Sequence, residues 1–332
     1  MANKFLKKIM IVFLVVLSLP AYSQDPQFSQ FYAHSLYLNS AFTGNTNSDR
    51  ISGIYRNQWV SVPGAFVSYS FAYDHNFSHL NSGVGLMVTQ DKAASGGLKF
   101  TDVAGLYSYD VKINRKLALR VGLKFSYTLR AIDKSRLTFG DQIARGGAGE
   151  TLEKFSDDAN SYFDLGTGTV LYSKSFWIGT SIDHLTQPEQ SSISGAAFLP
   201  VKLSLHGGYN FFLKENIKGK EKSSITLAYN YKHQQSWNQL DLGTYYSRSG
   251  FILGVWYRGI PFIKTVSLSN NDAIVLLVGF HSKTIKIGYS YDVTISKLAG
   301  ETGGSHEISL VYESPYKRKK RRRRHLVACP KF

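Results

Sequence analysis

One cysteine, Cys329, occurs in 332 residues, so no intramolecular disulfide framework holds this chain. After residue 23 no stretch approaches about 18 consecutive apolar residues, which leaves no readable transmembrane helix. The nine histidines are scattered and form no HExxH or CxxC-type cluster, so neither a zinc centre nor a redox motif is indicated. Ser290, Asp292 and His306 have the right chemistry for a triad, but no nucleophile elbow surrounds them. Gly146, Gly147 and Gly149 sit in a long loop rather than between a strand and a helix, so no phosphate cradle is read there. These absences remove the usual signatures of enzymes. The reading is of a non-enzymatic protein with no cofactor.

Charge is present but unevenly placed. The formal net charge is +16. Setting aside Lys4, Lys7, Lys8, the run Lys317-Arg318-Lys319-Lys320-Arg321-Arg322-Arg323-Arg324 and Lys331 leaves +4 for the body, which is therefore near balance. Residues 1–23 read as a secretory signal: a basic start, the apolar stretch Ile9–Leu19, and Ala21-Tyr22-Ser23 before Gln24. An exported bacterial protein meets no chromosomal DNA. The eight-cation run is thus expected to touch a protein or the envelope rather than nucleic acid.

What the body has in quantity is period-two alternation. In Leu117–Arg130 one face is Leu117, Leu119, Val121, Leu123, Phe125, Tyr127 and Leu129; the other carries Arg120, Gly122, Lys124, Ser126, Thr128 and Arg130. Thr284–Ile295 and Ile225–Lys232 alternate in the same way. A soluble sandwich buries the apolar face, whereas a membrane barrel turns it to lipid, and alternation alone does not separate the two. Export, strand lengths near ten, and 42 Tyr plus Phe, enough for aromatic girdles at both interfaces, favour the membrane. Fourteen strands are expected, starting near Asp49, Ala65, Asn81, Leu98, Lys116, Ser161, Phe176, Val201, Ser223, Gln239, Phe251, Asp272, Thr284 and Ser305. That count puts the long connections, including Ala131–Asn160, Leu185–Pro200, Gly259–Asn271 and Ser296–Gly304, on one side, and mostly short turns on the other. The fold class is therefore all-β, a transmembrane antiparallel barrel. Its expected divisions are a signal at 1–23, an N-terminal periplasmic segment at 24–48, the outer-membrane barrel at 49–313 and a basic periplasmic tail at 314–332.

Several segments resemble one known family. Gln24-Asp25-Pro26-Gln27-Phe28-Ser29-Gln30-Phe31 and Tyr37-Leu38-Asn39-Ser40-Ala41-Phe42-Thr43-Gly44 resemble the mature N-terminus of PorP/SprF proteins, with Ser40 where the family usually has proline. The likeness continues through Tyr55-Arg56-Asn57-Gln58-Trp59, Ser181–Pro188, Ser290–Leu298 and Gly304–Ser309. It implies a barrel of the type IX secretion and gliding machinery that supports secretion of a large surface protein, often an adhesin, and holds it at the cell surface. A general diffusion porin, or a core secretion component without dedicated cargo, is the alternative. Expected partners are that surface protein outside, machinery components in the periplasm, and outer-membrane lipid.

The candidate partner-binding residues are the basic run Lys317–Arg324 together with Gly140, Asp141, Gln142, Gln187 and Pro188 in the outer loops. Arg56, Asp292 and Glu307 fall on the lumen side of the alternation. Two readings stay open for Arg56: an ordinary solvated lumen charge, or a partner of Asp292 or Glu307.

Overall fold

A computed structural model describes residues 25–46, 49–93, 97–133, 137–138, 140–146, 151, 159–190, 197–215, 221–265 and 268–315. The expected signal and the basic run Lys317–Arg324, with Cys329, lie outside the described residues. Fourteen strands follow in order: β1 (Asp49–Gln58), β2 (Phe66–Phe77), β3 (Ser82–Ala93), β4 (Leu98–Lys112), β5 (Ala118–Ile132), β6 (Ala159–Tyr172), β7 (Phe176–Asp183), β8 (Lys202–Glu215), β9 (Glu221–Gln234), β10 (Trp237–Arg248), β11 (Phe251–Thr265), β12 (Leu268–His281), β13 (Ile285–Thr294) and β14 (Ser305–Glu313). Each pairs antiparallel with its sequence neighbours. β1 closes on β14, from Arg50 opposite Glu313 to Gln58 opposite Ser305. Closure leaves no edge strand, the condition for a sheet whose outer face meets hydrocarbon.

The direction of the alternation is that of a membrane barrel. Along β5, Val121, Leu123, Phe125, Tyr127 and Leu129 point outward and are exposed, while Arg120, Gly122, Ser126 and Thr128 are buried inside. The other strands follow suit: Phe71, Leu86, Leu253, Val278 and Leu310 face out, while Ser70, Asp74, Thr89 and Ser290 face in. The apolar face that a soluble protein would hide is here the surface, as lipid requires.

β1 starts at the short-turn rim, and the long connections gather at the opposite rim. One of them is shorter than expected. Gly259–Asn271 is largely strand, because β11 runs on to Thr265 and β12 begins at Leu268. The pairing slips between Gly259 and Lys264, around Pro261, which has no N–H to give the ladder.

A second correction concerns the N-terminus. Residues 24–48 were expected as a segment in the periplasm, outside the barrel. Instead residues 25–46 fill the lumen. Phe28, Gln30, His34, Asn39, Ala41, Phe42 and Thr43 are all buried. The segment carries one turn of α-helix, α1 (Ser35–Leu38), and a 3₁₀ turn at Ser40–Phe42. The cause is geometric. A barrel of this strand number is too wide for its own side chains to fill, so another part of the chain supplies the missing core.

Candidate functional site: the plugged lumen and its rims

The lumen segment is fastened at three places. At the long-loop rim, Asp25 accepts from Lys202 at the start of β8 and lies 3.0 Å from His184 Nε2, while His184 Nδ1 lies 2.7 Å from Asp164 of β6. Burial works against charge on these groups, yet the carboxylates of Asp25 and Asp164 raise His184 to about 9, and Lys202 with His184 hold Asp25 well below the usual carboxylate range. At neutral pH the rim is therefore tied by a protonated imidazole between two carboxylates.

A second fastening centres on Ser29, against residues near the long-loop ends of β1, β13 and β14. Its hydroxyl donates to Asp292 Oδ2 (2.7 Å) and accepts from Arg56 Nη1 (2.7 Å) and Arg258 Nη2 (2.6 Å). Its N–H and that of Gln30 donate to the two oxygens of Glu307, at 2.8 and 2.6 Å. Arg56 reaches Asp292 Oδ2 at 2.9 Å and Glu307 Oε2 at 3.1 Å, and Arg258 reaches Asp292 Oδ2 at 2.9 Å. The Gln30 amide is held by Ser290, Ser309 and the Glu307 carbonyl. Arg56, Asp292, Arg258 and Glu307 are each at most 3% exposed, so these charges survive burial only because each is paired and hydrogen-bonded.

Around these ties the packing is aromatic. His34 stacks on Tyr37 and meets the edge of Phe28, and Phe31 meets Trp256. Neither ring nitrogen of His34 finds a hydrogen-bond partner among the described residues. Burial, aided by Arg50, pushes its pKa down to about 3 and keeps the imidazole neutral.

Toward the short-turn rim, the Asn39 amide donates to the carbonyls of Thr180 and Thr169, and Thr43 O accepts from Ser108 and Arg120. Arg50 grips Asp74 with two hydrogen bonds, and the second Asp74 oxygen also takes the Gly44 N–H at 2.6 Å. Here plug and wall backbones touch. A Cβ on Gly122 would sit 2.2 Å from Ala41 N, and one on Gly83 would sit 2.4 Å from Thr43 O. Glycine is required at both positions by the close approach.

The structure therefore brings Arg56, Asp292 and Glu307 into one cluster, in the paired rather than the solvated state. Ser29, Gln30, Arg258 and the Asp25–His184–Lys202 tie were not among the expected site residues. The outer-loop residues sit at the long-loop rim. Gly140, Asp141 and Gln142 belong to the short helix α2 (Gly140–Ala144), with Asp141 paired to Arg145 and Ile143 exposed. Gln187 is exposed with φ 45°, and the buried Pro188 accepts the Leu199 N–H through its carbonyl. Among the described residues, no group of three or more His, Cys, Asp or Glu side chains is placed to hold a metal ion.

Above the plug a cup of about 360 Å³ opens at the long-loop rim, floored by Asp25, Pro26 and Gln27 and walled by the upper ends of β1–β6 and their loops.

Comparison with known proteins agrees with this architecture. The family model for the type IX secretion system membrane protein PorP/SprF matches residues 21–312. No curated protein matches the chain. Among solved structures, the CymD monoaromatic hydrocarbon channel is similar, with TM-score 0.51 and 12% identity over 86% of this chain and 93% of that one. The Pseudomonas putida toluene transporter TodX gives TM-score 0.45 and 13% identity over 84% and 93%. The Acinetobacter baumannii outer membrane protein Omp33 gives 0.45 and 7% over 82% and 100%. At 12% identity the CymD likeness shows the barrel fold alone.

Proposed function

The chain belongs to the PorP/SprF family of type IX secretion system membrane proteins and resides in the outer membrane, and on that premise we propose that it is a non-enzymatic support for secretion and surface anchoring of a partner protein such as an adhesin. The observation that carries this reading is the filled lumen. Residues 25–46 are fastened along its length by buried ion pairs and hydrogen bonds. A diffusion pore needs an open path, and clearing this one would expose Arg56, Arg258, Asp292 and Glu307 without their Ser29 and Gln30 partners. The useful surfaces are then the two rims. Outside, α2 with Gly140, Asp141 and Gln142, and the loop bearing Gln187 and Pro188, form the surface for the secreted protein, because long loops on a rigid scaffold are where binding concentrates. Inside, Lys317–Arg324 meets an acidic periplasmic component of the secretion or gliding machinery.

Deleting residues 140–153 tests the outer assignment. The barrel is expected to insert normally while surface display of the partner is lost. Normal display in that variant would refute the assignment and favour a core secretion component without dedicated cargo.

A further inference from the structure

The cup above the plug breaks the barrel's own rule. Through most of their length the inward positions of β1–β5 carry polar, charged or small side chains, and the large apolar ones among them, Ile54, Met87 and Leu106, are buried. At the long-loop end, the same inward parity delivers Phe66, Leu98 and Phe100 instead. Phe66 is 37% and Leu98 45% exposed, and both line open space rather than the plug. Neither lipid contact nor plug packing accounts for large apolar side chains there.

The cup's other properties narrow what it takes. Its carboxylates are already engaged: Asp25 by Lys202 and His184, and Asp91 by the Ser68 hydroxyl. Of its two cations, Arg130 donates to Gln190 and Lys99 lies on the outward parity of β4, so an ionic ligand is not required. Two glutamine amides offer complementary halves of a peptide group. Gln27 donates through Nε2 to Gln239, which leaves its carbonyl oxygen for an incoming donor, and Gln58 accepts from Arg56, which leaves its NH₂ for an incoming acceptor. At the lip Trp59 holds φ 61°, an outlier for a bulky residue, fixed by its N–H to Gly304 O at 2.8 Å and by the Val62 N–H to its own carbonyl, with its ring edge-on to Phe66. Backbone strain of this kind is kept where the surroundings over-determine it, commonly at binding sites. A volume of about 360 Å³ lies at the small end of ligand pockets, which run ~300–1,000 Å³.

We propose that this cup is a seat for one large apolar side chain of an extended peptide, with its flanking peptide groups bonded to Gln27 and Gln58. The peptide is a segment of the surface protein whose display the barrel supports, so the inference rests on the functional reading above and deepens it. A glycan has hydroxyls to match the amides, but the aliphatic Leu98, Ala93 and Leu199 on the wall favour a side chain over a sugar ring.

The test uses the full-length protein in intact cells, with the photoreactive residue p-benzoylphenylalanine in place of Leu98, and Phe163 on the outer face as the control position. Irradiation is followed by purification and mass-spectrometric mapping of the adduct. One defined peptide segment captured from position 98 and not from 163 is expected. Adding Ala93→Trp, which fills the cup, should lower that capture at least roughly tenfold, the loss of one buried apolar side chain, while heat-modifiable gel mobility shows the barrel still folded. Capture of glycan or lipid alone, no adduct while the surface protein is displayed normally, or capture unchanged by Ala93→Trp would each overturn the seat. If removing the whole barrel leaves display intact, the functional reading itself falls, a result distinct from all of these.

Discussion

Glu307→Ala is the sharpest probe of the plug. The wild-type carboxylate accepts three hydrogen bonds: from Ser29 N–H at 2.8 Å, Gln30 N–H at 2.6 Å and Arg56 Nη1 at 3.1 Å. Its side chain is 0% exposed and that of Arg56 2%. Removing it leaves a buried guanidinium with only Asp292 opposite and two plug N–H groups without acceptors. Breaking a buried pair from one side costs ~3–5 kcal/mol, and an unsatisfied buried N–H ~1–3 kcal/mol. These figures overlap rather than add, because the plug relaxes away from the hole. A net loss of roughly 3–5 kcal/mol is expected at this level of the plug. The barrel ladder is untouched, so heat-modifiable mobility should persist while protease cleavage among residues 25–31 rises sharply and single-channel conductance appears in planar bilayers. Glu307→Gln keeps one acceptor and should be milder. Arg56→Met with Glu307→Leu removes both charges and should recover much of the protease resistance. Protease resistance and conductance unchanged in Glu307→Ala would refute the claim that this cluster holds the plug.

Leu123 faces out at 42% exposure, so Leu123→Arg should cost ~2–4 kcal/mol near the midplane, whereas Lys124→Leu should cost less because Lys202 also lies 3.8 Å from the Asp183 that it leaves; equal losses in denaturant unfolding would overturn the inward–outward assignment. His184, raised from 6.5 to about 9, contributes stability that is full below 6.5 and lost as pH rises through about 9, and Asp25, lowered from 3.8, contributes stability lost as pH falls below that value. Amide hydrogen exchange at residues 25–28 should therefore quicken, beyond its intrinsic pH dependence, above pH 9, and His184→Gln should abolish that step; a wild-type profile without it would remove the tie. Replacing Lys317–Arg324 by Gly and Ser should spare folding but weaken co-purification with the secretion machinery at physiological salt, and full recovery would remove the docking role of the charge.

The strands were legible because their signal is local. A two-residue period with apolar side chains on one face needs no knowledge of distant partners, and the fourteen expected starts fall within four residues of those observed. The same alternation put Arg56, Asp292 and Glu307 on the inner face. It did not supply Ser29, whose hydroxyl is fixed by Arg56, Arg258 and Asp292 from three separate strands. Residues 25–46 carry no sustained period, since Phe28 and Phe31 lie in irregular backbone and Leu36, Ala41 and Phe42 in single helical turns, and aperiodic sequence before a first strand reads as a segment outside the fold. One signal was there. The segments that carry the family resemblance, from Gln27–Gln30 and Asn39–Gly44 to Arg56, His184, Asp292 and Glu307, are largely the plug and its sockets.

The position of the Ser29 cluster ties the plug to closure of the barrel. Arg56 lies on the first strand, Asp292 and Glu307 on the last two, and Arg56 stands directly opposite Glu307 across the β1–β14 seam. That seam joins the most distant parts of the chain, so its loop-closure entropy is the largest in the sheet. Before the seam forms, Arg56 and Glu307 belong to separate edges and no complete socket exists for Ser29 and Gln30. Once it forms, the two plug N–H groups and the Ser29 hydroxyl join charges contributed from both sides. The plug is thus bound by the closed barrel and not by an open sheet, and anything that binds only the closed form stabilises closure by its own binding free energy. The buried charges follow from the same requirement. An apolar plug would pack against almost any stretch of wall, whereas Ser29 and Gln30 are satisfied only where Arg56, Arg258, Asp292 and Glu307 converge, which sets the depth and rotation of the segment and leaves Asp25–Gln27 as the floor of the outer cup.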